Sequence, residues 1–226
     1  MTQRFTLAIK LAAASAALCF AGASHAQSAG SWSVKVGANK ITPKVTSGNV
    51  SAPALPGTKT DVLPDTQPMA IFSYMLTNNF SVETAIGTPY EHDLIGDGAI
   101  KGTGKLGSAR VLPAAAFVQY RFFDPSTRIR PYVGLGGTYA MFQKEKGSGQ
   151  LTALLNPGGP GTTFKVKDKL AVSPQIGVSV AITDRWFVDA AVIKTYLKTT
   201  ATFSTGQTQE LKLDPLAVNV GIGYRF

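Results

Sequence analysis

The chain is poor in charge, cysteine and histidine, and it lacks long apolar runs. Only 15% of its 226 residues are Asp, Glu, Lys or Arg, against about 25% in typical soluble domains, and the mean hydropathy is +0.09. No window reaches the roughly 18 consecutive apolar residues of a membrane-spanning helix. Together with 23 glycines and 13 prolines, these numbers argue against a coiled coil, a disordered chain and an α-helical membrane protein.

The first 26 residues have the pattern of a secretory signal peptide. Two basic residues precede a short apolar stretch at 11–20, and the next six residues, AGASHA, end on small residues at the positions that a signal peptidase reads. We therefore expect cleavage after Ala26 and a mature domain of residues 27–226. The alternative, a first helix of the fold, is disfavoured because the segment has no helical cap.

Several chemistries are excluded by what the mature chain lacks. The single cysteine, Cys19, lies in the signal segment, and His92 is the one histidine beyond it. This excludes a disulfide scaffold, cysteine metal clusters and thiol nucleophiles, and we expect neither a metal nor a cofactor. Removing the two basic residues of the signal segment leaves 20 basic against 13 acidic residues. In an exported protein, this positive charge favours anionic lipid and lipopolysaccharide as partners over nucleic acid.

Alternation of period two runs through the mature chain. From Leu216 onward the even positions are apolar and end in the aromatics Tyr224 and Phe226, whereas the odd positions are small or polar. The same pattern predicts eight strands, at 32–39, 69–76, 80–91, 111–122, 132–142, 171–183, 186–193 and 216–226.

The connections between these segments alternate in length. Short, turn-rich connections fall at 77–79, 124–127 and 183–185, and long ones at about 46–66, 93–108, 144–168 and 200–210. Short periplasmic turns and long extracellular loops are typical of an outer-membrane barrel. We therefore predict an all-β fold, an eight-stranded antiparallel transmembrane β-barrel. A soluble lipocalin-like barrel is disfavoured because its outer face should carry charge.

The last strand should close this barrel. Its terminal aromatics, Tyr224 and Phe226, belong to the expected interfacial girdle. We expect both to be needed for assembly, with the barrel assembly machinery as a partner.

If the apolar positions face lipid, the alternate positions line the lumen. Toward the short-turn end these are polar, and we expect their opposite charges to pair because an unpaired buried ion is costly. We call this predicted set the polar plug: Lys35, Glu83, Gln119, Arg121, Asp189, Asn219 and Arg225. A proton or ion path through the same residues is the alternative.

Toward the long-loop end the inward positions become apolar: Ile41, Met69, Ile71, Phe117, Phe142, Ile193 and Leu197. An apolar lumen is what a site for hydrophobic solutes needs, although simple packing of a small barrel would also produce it. Prolines fall within or beside strands, where each removes a ladder hydrogen bond: Pro43, Pro89, Pro113, Pro174 and Pro215. They either end strands or open the wall sideways to the bilayer.

Four segments carry a family resemblance: RPYVGLGGTY (130–139), WFVDAAV (186–192), YLKTTA (196–201) and LDPLAVNVGIGYRF (213–226). They resemble the outer membrane protein W family, and the similarity extends over nearly the whole mature chain in strand order and loop lengths. The resemblance implies an eight-stranded barrel whose narrow, apolar lumen binds or passes small hydrophobic molecules.

Other functions fit the sequence less well. A Ser–His hydrolase would need His92 as its base, and no nucleophile motif lies near it, so we expect no enzyme. The main alternative is a structural or surface-interaction barrel without transport.

Overall fold

The computed structural model describes residues 27–226, so the predicted signal peptide at 1–26 lies outside the described residues. Its strands are β1 (Trp32–Thr42), β2 (Thr46–Ser47), β3 (Thr58–Val62), β4 (Asp65–Met75), β5 (Phe80–Gly87), β6 (Tyr90–Gly98), β7 (Lys105–Arg121), β8 (Ile129–Gly147), β9 (Phe164–Val166), β10 (Lys169–Ala181), β11 (Trp186–Lys194), β12 (Lys198–Phe203), β13 (Thr208–Lys212) and β14 (Leu216–Arg225). One helix, α1 (Gly149–Leu155), follows β8. The described residues form no helix long and apolar enough to cross a membrane.

Eight of these strands close into one antiparallel barrel. Around the wall the order is β1, β4, β5, β7, β8, β10, β11 and β14, and β14 pairs again with β1. The closing register joins Ser33 to Arg225 at one end and Thr42 to Leu216 at the other. Closure leaves no unpaired edge, as a strand-built membrane protein requires. The predicted eight-stranded antiparallel barrel is confirmed.

The alternation read from the sequence corresponds to two faces of the wall. On β1, Lys35 is 3% exposed while its neighbour Val36 is 52% exposed, and on β14, Asn219 is 1% exposed while Val220 is 58% exposed. At these positions, polar side chains turn into the barrel and apolar ones turn out, the inverse of a soluble protein.

An aromatic belt surrounds the short-turn end on the outer face. Trp32 packs against Tyr74 with ring centroids 4.7 Å apart, and Trp186 against Tyr224 at 5.0 Å. The ring of Phe226 lies 5.1 Å from Tyr224 and extends the belt to the last residue. Aromatic rings gather in this way at the interface between lipid and water.

The long connections are more ordered than the sequence suggested. The structure places β2, β3, β9, β12, β13 and most of β6 in the predicted loops, and continues β7 and β8 up to the pair Gly107–Gly147. We call this part the long-loop extension. Predicting plain loops there was wrong, because these strands are short and their pairing is long-range, which local alternation does not reveal.

The long-loop extension has its own apolar core. Helix α1 begins after Ser148, whose Oγ accepts a hydrogen bond from the amide of Leu151 at 3.2 Å, a standard helix cap. The helix buries Leu151 and Leu155 over the barrel mouth, in one cluster with Phe164 and Leu197. The extension is therefore a packed structure with a hydrophobic cluster of its own.

Candidate functional site

Two adjoining apolar cavities occupy the half of the lumen nearest the long-loop extension. The upper cavity, about 100 Å³, is bounded by Phe142, Leu197, Leu213 and His92. The lower cavity, about 90 Å³, is bounded by Met69, Ile71, Phe117 and Ile193. Both share a ring of five lining residues: Ile41, Pro113, Thr138, Thr195 and Ala217. The two cavities therefore adjoin at this ring.

All seven apolar residues selected from the sequence line this space. Met69, Ile71 and Phe117 are nearly inaccessible to solvent, and Phe117 fits because the facing residue is glycine. A Cβ on Gly136 would lie 2.4 Å from Phe117 Cδ1, far closer than packed atoms allow. The alternation predicts which side chains face inward, and this glycine makes room for the largest of them.

The floor of the lower cavity is polar. Glu83, Asn39 and Asn219 line it, and Asn39 Nδ2 donates to Tyr90 Oη at 2.8 Å. The Oδ1 atoms of both asparagines are buried without a hydrogen-bond partner. A solute in the cavity thus meets apolar walls first and polar groups at the bottom.

Below this floor, an ion-paired network fills the lumen. Lys35 Nζ lies 2.5 Å from Asp189 Oδ1 and 3.8 Å from Glu83 Oε2. Tyr132 Oη also donates to Asp189 Oδ1 at 3.0 Å, and Ser73 Oγ to Glu83 Oε2 at 3.1 Å. One lysine thus lies between two carboxylates. Both of the contacts to Asp189 use Oδ1, and Asp189 Oδ2 is buried without a hydrogen-bond partner.

Amide side chains continue the network toward the short-turn end. Gln119 Nε2 donates to Gln175 Oε1 at 2.9 Å, and Arg121 Nη2 donates to Gln119 Oε1 at 2.8 Å. Both glutamines and the arginine are buried. These contacts join β7 to β10 below the cavities.

The expectation that all charges of the polar plug pair was wrong for the arginines. In the described part of the chain, neither Arg121 nor Arg225 lies within ion-pair distance of a side-chain carboxylate. Arg121 stacks over the ring of Tyr132 at 4.8 Å, and Arg225 over Phe187 at 4.6 Å. Lys35 takes both carboxylates, so aromatic faces hold these two cations instead.

One lumen arginine was absent from the predicted plug. Arg130 is fully buried, and its Nη1 donates to Gln27 Oε1 at 2.8 Å while its Nη2 donates to the carbonyl of Asn78 at 2.8 Å. It lies two positions before Tyr132, the first residue of the predicted segment 132–142. Its side chain therefore points to the same side of the strand as that of Tyr132, into the lumen. Extending that alternation by two residues would have found it.

The barrel wall is interrupted beside the lower cavity. β5 pairs with β7 as far as Ala85–Ala115, and pairing resumes at Tyr90–Val111. Between these pairs, the four residues 86–89 face the three residues 112–114 of β7 without ladder pairing. We call this interval the wall gap. Ile86 and Leu112, which belong to this interval, line the lower cavity, and Ile86 is also 63% exposed on the outer face. The unpaired interval thus contributes both to the lining of the lower cavity and to the outer face of the wall.

Two prolines lie within this gap. Pro89 lies between β5 and β6, and Pro113 within β7 lines both cavities. Neither can donate a backbone hydrogen bond, so neither supplies a donor for ladder pairs here. The other three prolines do not coincide with such a gap: Pro174 is paired within β10, and Pro43 and Pro215 lie beside strand ends.

His92 has a packing role in this geometry. The ring is buried in β6, lines the upper cavity, and its Nδ1 lies 2.7 Å from the carbonyl oxygen of Leu63. Because a carbonyl only accepts, Nδ1 carries the proton. Within residues 27–226 no group of three or more His, Cys, Asp or Glu side chains is placed to hold a metal.

Comparison with known proteins agrees with this architecture. The model of the OmpW family matches residues 28–226. Outer membrane protein W of Salmonella typhi is 31% identical over 210 residues, which cover 91% of this chain and 92% of the relative. Outer membrane protein AlkL of Ectopseudomonas oleovorans is 28% identical over 182 residues, covering 79% and 74%. The crystal structure of OprG from Pseudomonas aeruginosa matches with a TM-score of 0.80 at 25% identity, covering 89% of this chain and 98% of that one.

Proposed function

The chain belongs to the OmpW family of Gram-negative outer-membrane barrels, and we propose that it binds small hydrophobic molecules in its lumen and releases them sideways into the outer membrane. The observation that carries the proposal is that residues of the wall gap line the lower cavity. Phe117 inside and Ile86 at the outer face line the same cavity. The gap is therefore the proposed route from lumen to lipid, because it does not cross the contacts of Lys35 with Asp189 and Glu83.

The size and lining of the space set the class of solute. An apolar protein cavity of about 150 Å³ stays dry and accepts benzene. The two joined cavities, about 100 and 90 Å³, are of that order. We therefore propose small, uncharged hydrocarbons and aromatics as solutes.

The polar plug supplies the reason for a sideways exit. An apolar solute would have to break the contacts of Lys35 with Asp189 and Glu83 to continue straight to the periplasm. Separating a buried ion pair is costly because the released charges stay out of water. The wall gap requires no such step, since its ladder hydrogen bonds are already missing.

Binding of naphthalene to the purified barrel in lipid vesicles tests the proposal. Phe117→Asp adds an unpaired charge to the cavity and should weaken binding by several kcal/mol, about a hundredfold or more. Phe117→Leu is the matched control, because it keeps the site apolar. Equal binding by the Asp variant and the unmodified protein, both folded, would favour the alternative of a structural barrel without transport.

The outer rim has a feature that favours lipopolysaccharide as a partner. Lys198 and Lys212 are directly opposite each other in the β12–β13 register, and with Lys169 they line a surface depression. Lys212 lies 3.4 Å from Asp214. Like charges directly opposite destabilise a sheet, and a lipid phosphate between them would remove that cost.

The amount of lipopolysaccharide that co-purifies with the barrel tests this contact. Lys198→Gln with Lys212→Gln should reduce the amount bound. The exposed residues Lys101 and Lys144, changed to Gln together, provide a control with the same loss of charge. If both double variants retain equal amounts of lipopolysaccharide, the proposed contact is wrong.

A further inference from the structure

The lumen carries more cationic than anionic side chains at its short-turn end. Lys35, Arg121, Arg130 and Arg225 are all at most 5% exposed, whereas Glu83 and Asp189 are the buried carboxylates there. Lys35 contacts both carboxylates. Among the described side chains, none of the three arginines lies within ion-pair distance of a carboxylate; Asp189 acts on Arg225, and Asp124 on Arg130, only from a longer distance.

Arg225 is the least satisfied of these cations. Its Nη1 donates to the carbonyl of Asp184 at 3.5 Å, while its Nε and Nη2 are buried with no hydrogen-bond partner. Unmade hydrogen bonds of a buried charged group are costly, and each such group in a folded protein calls for a water or an ion. Two free donors on one guanidinium form a fork suited to a single acceptor.

A small cavity adjoins this guanidinium. It is lined by Arg225, Arg121, Ser31, Ser33 and Gln27, among others, and accommodates about one water-sized sphere. Phe187 forms one wall and fixes Arg225 by stacking. Arg121 is held by Ser81 Oγ at 3.1 Å and Gln119 Oε1 at 2.8 Å. Two positioned guanidiniums thus line one enclosed space.

We propose that this cavity is a binding site for one monatomic anion, a halide such as chloride, held between Arg121 and Arg225. The halide supplies the acceptor that Nε and Nη2 lack and offsets part of the excess positive charge. Charge-assisted hydrogen bonds from guanidinium are among the strongest that proteins make. A polyatomic anion such as phosphate is too large for the enclosed space, and a water would leave the charge uncompensated.

The site also has a consequence for the barrel floor. An anion here joins β7, which carries Arg121, to β14, which carries Arg225, across the lumen. Because it binds only the folded barrel, it stabilises that state in proportion to the logarithm of its concentration. The inference is independent of hydrophobic transport, since this cavity shares no lining residue with the two apolar cavities.

The experiment uses bromide as the probe. Crystals of the mature barrel grown in bromide should show an anomalous-scattering peak between Arg121 and Arg225. In parallel, the unfolding temperature should rise with chloride concentration more than with gluconate at equal ionic strength. A bromide map without this peak, or equal effects of the two salts, would overturn the site in favour of a bound water.

Two variants separate the site from general charge effects. Arg225→Gln removes the fork and should abolish both the bromide peak and the chloride-specific stabilisation. Arg185→Gln removes the same charge from an exposed residue at the same end, which bonds Tyr224 Oη at 2.9 Å, and should keep both. Loss of the halide effect in both variants would contradict the assignment. If Arg225→Gln does not assemble, the presence or absence of the bromide peak in the unmodified barrel alone tests the site.

Discussion

Lys35 Nζ on β1 lies 2.5 Å from Asp189 Oδ1 on β11, with β14 between the two strands. Both side chains are almost completely buried, and they meet diagonally over β14, whose Gly223 pairs with Lys35 and whose Gly221 pairs with Asp189. This ion pair, with Glu83 beside it, separates the apolar cavities from the short-turn end.

A double-mutant cycle should show that this pair acts as a unit. Lys35→Met leaves two buried carboxylates without their cation and should cost about 3–5 kcal/mol of unfolding free energy. Lys35→Met with Asp189→Asn should cost less than the sum of the single changes. Urea unfolding in detergent gives the unfolding free energy of the unmodified protein, of the two single variants and of the double variant. Single-variant losses that add up to the double-variant loss within about 0.5 kcal/mol would contradict direct coupling.

The conductance of the barrel should be small because the polar plug fills its cross-section. Replacing Lys35, Glu83 and Asp189 together with alanine should open a water path and raise the single-channel conductance in planar bilayers. Alanine at Arg110 and Glu91, an exposed ion pair of 2.9 Å in the long-loop extension, is the control. A large conductance in the unmodified barrel would show that the polar plug is not a barrier to ions.

His92 should make stability depend on pH. It lies in the extension, level with the solvent-exposed Glu91–Arg110 pair. Burial lowers the pKa of His92 below the ordinary 6.5, although its hydrogen bond to Leu63 opposes the shift.

The unfolded chain therefore takes up a proton first as pH falls. Stability should be complete above about pH 6.5 and decline below it until the folded-state pKa is passed, by at most about 1.4 kcal/mol per pH unit. Denaturation at a series of pH values measures the slope. His92→Gln should flatten it between pH 6.5 and 5, and an unchanged slope would assign the effect to other groups.

Phe226 should be needed for assembly. Its amide donates to the carbonyl of Trp32 at 2.9 Å, and its ring continues the aromatic belt. Deleting Phe226 should lower the amount of heat-modifiable barrel in the outer membrane, both by weakening closure and by removing the end that we expect the assembly machinery to bind. Phe123→Gly, which removes an exposed ring from the same end, is the control. Normal amounts after deletion would count against this role.

The sequence predicts the two faces of the wall well, because side-chain alternation is a local property of a strand. It places Phe117 and Ile71 in the lumen and Val36 and Val220 on the lipid side without any knowledge of pairing. It cannot predict which charges meet, since that depends on register and on the curvature of the closed barrel. For this reason the sequence predicts that Lys35 and Asp189 share the polar plug, and they form an ion pair. The predicted pairing of Arg225 with a carboxylate is wrong, because Arg225 stacks on Phe187 instead.

The long-loop extension and the wall gap needed the structure for different reasons. Strands such as β9 are three residues long and are stabilised by the cluster around Phe164 and Leu151, so no periodicity marks them. For the gap, Pro89 and Pro113 are visible in the sequence. The mismatch of four residues against three is a property of the pairing, which the sequence alone does not specify.

Closing the wall gap with a disulfide tests the central claim, lateral release, most directly. Residues 27–226 contain no cysteine, so Ile86→Cys with Ala114→Cys places one pair immediately beyond the last aligned pair, Ala85–Ala115. Thr84→Cys with Ala116→Cys joins the same strands where they are already paired and serves as the control.

The measurement is the rate at which cells carrying each barrel take up naphthalene, before and after oxidation. The account predicts that oxidation slows uptake through the 86/114 barrel severalfold, that a reductant restores it, and that the 84/116 barrel is unaffected. Undiminished uptake through a fully oxidised 86/114 barrel would contradict lateral release.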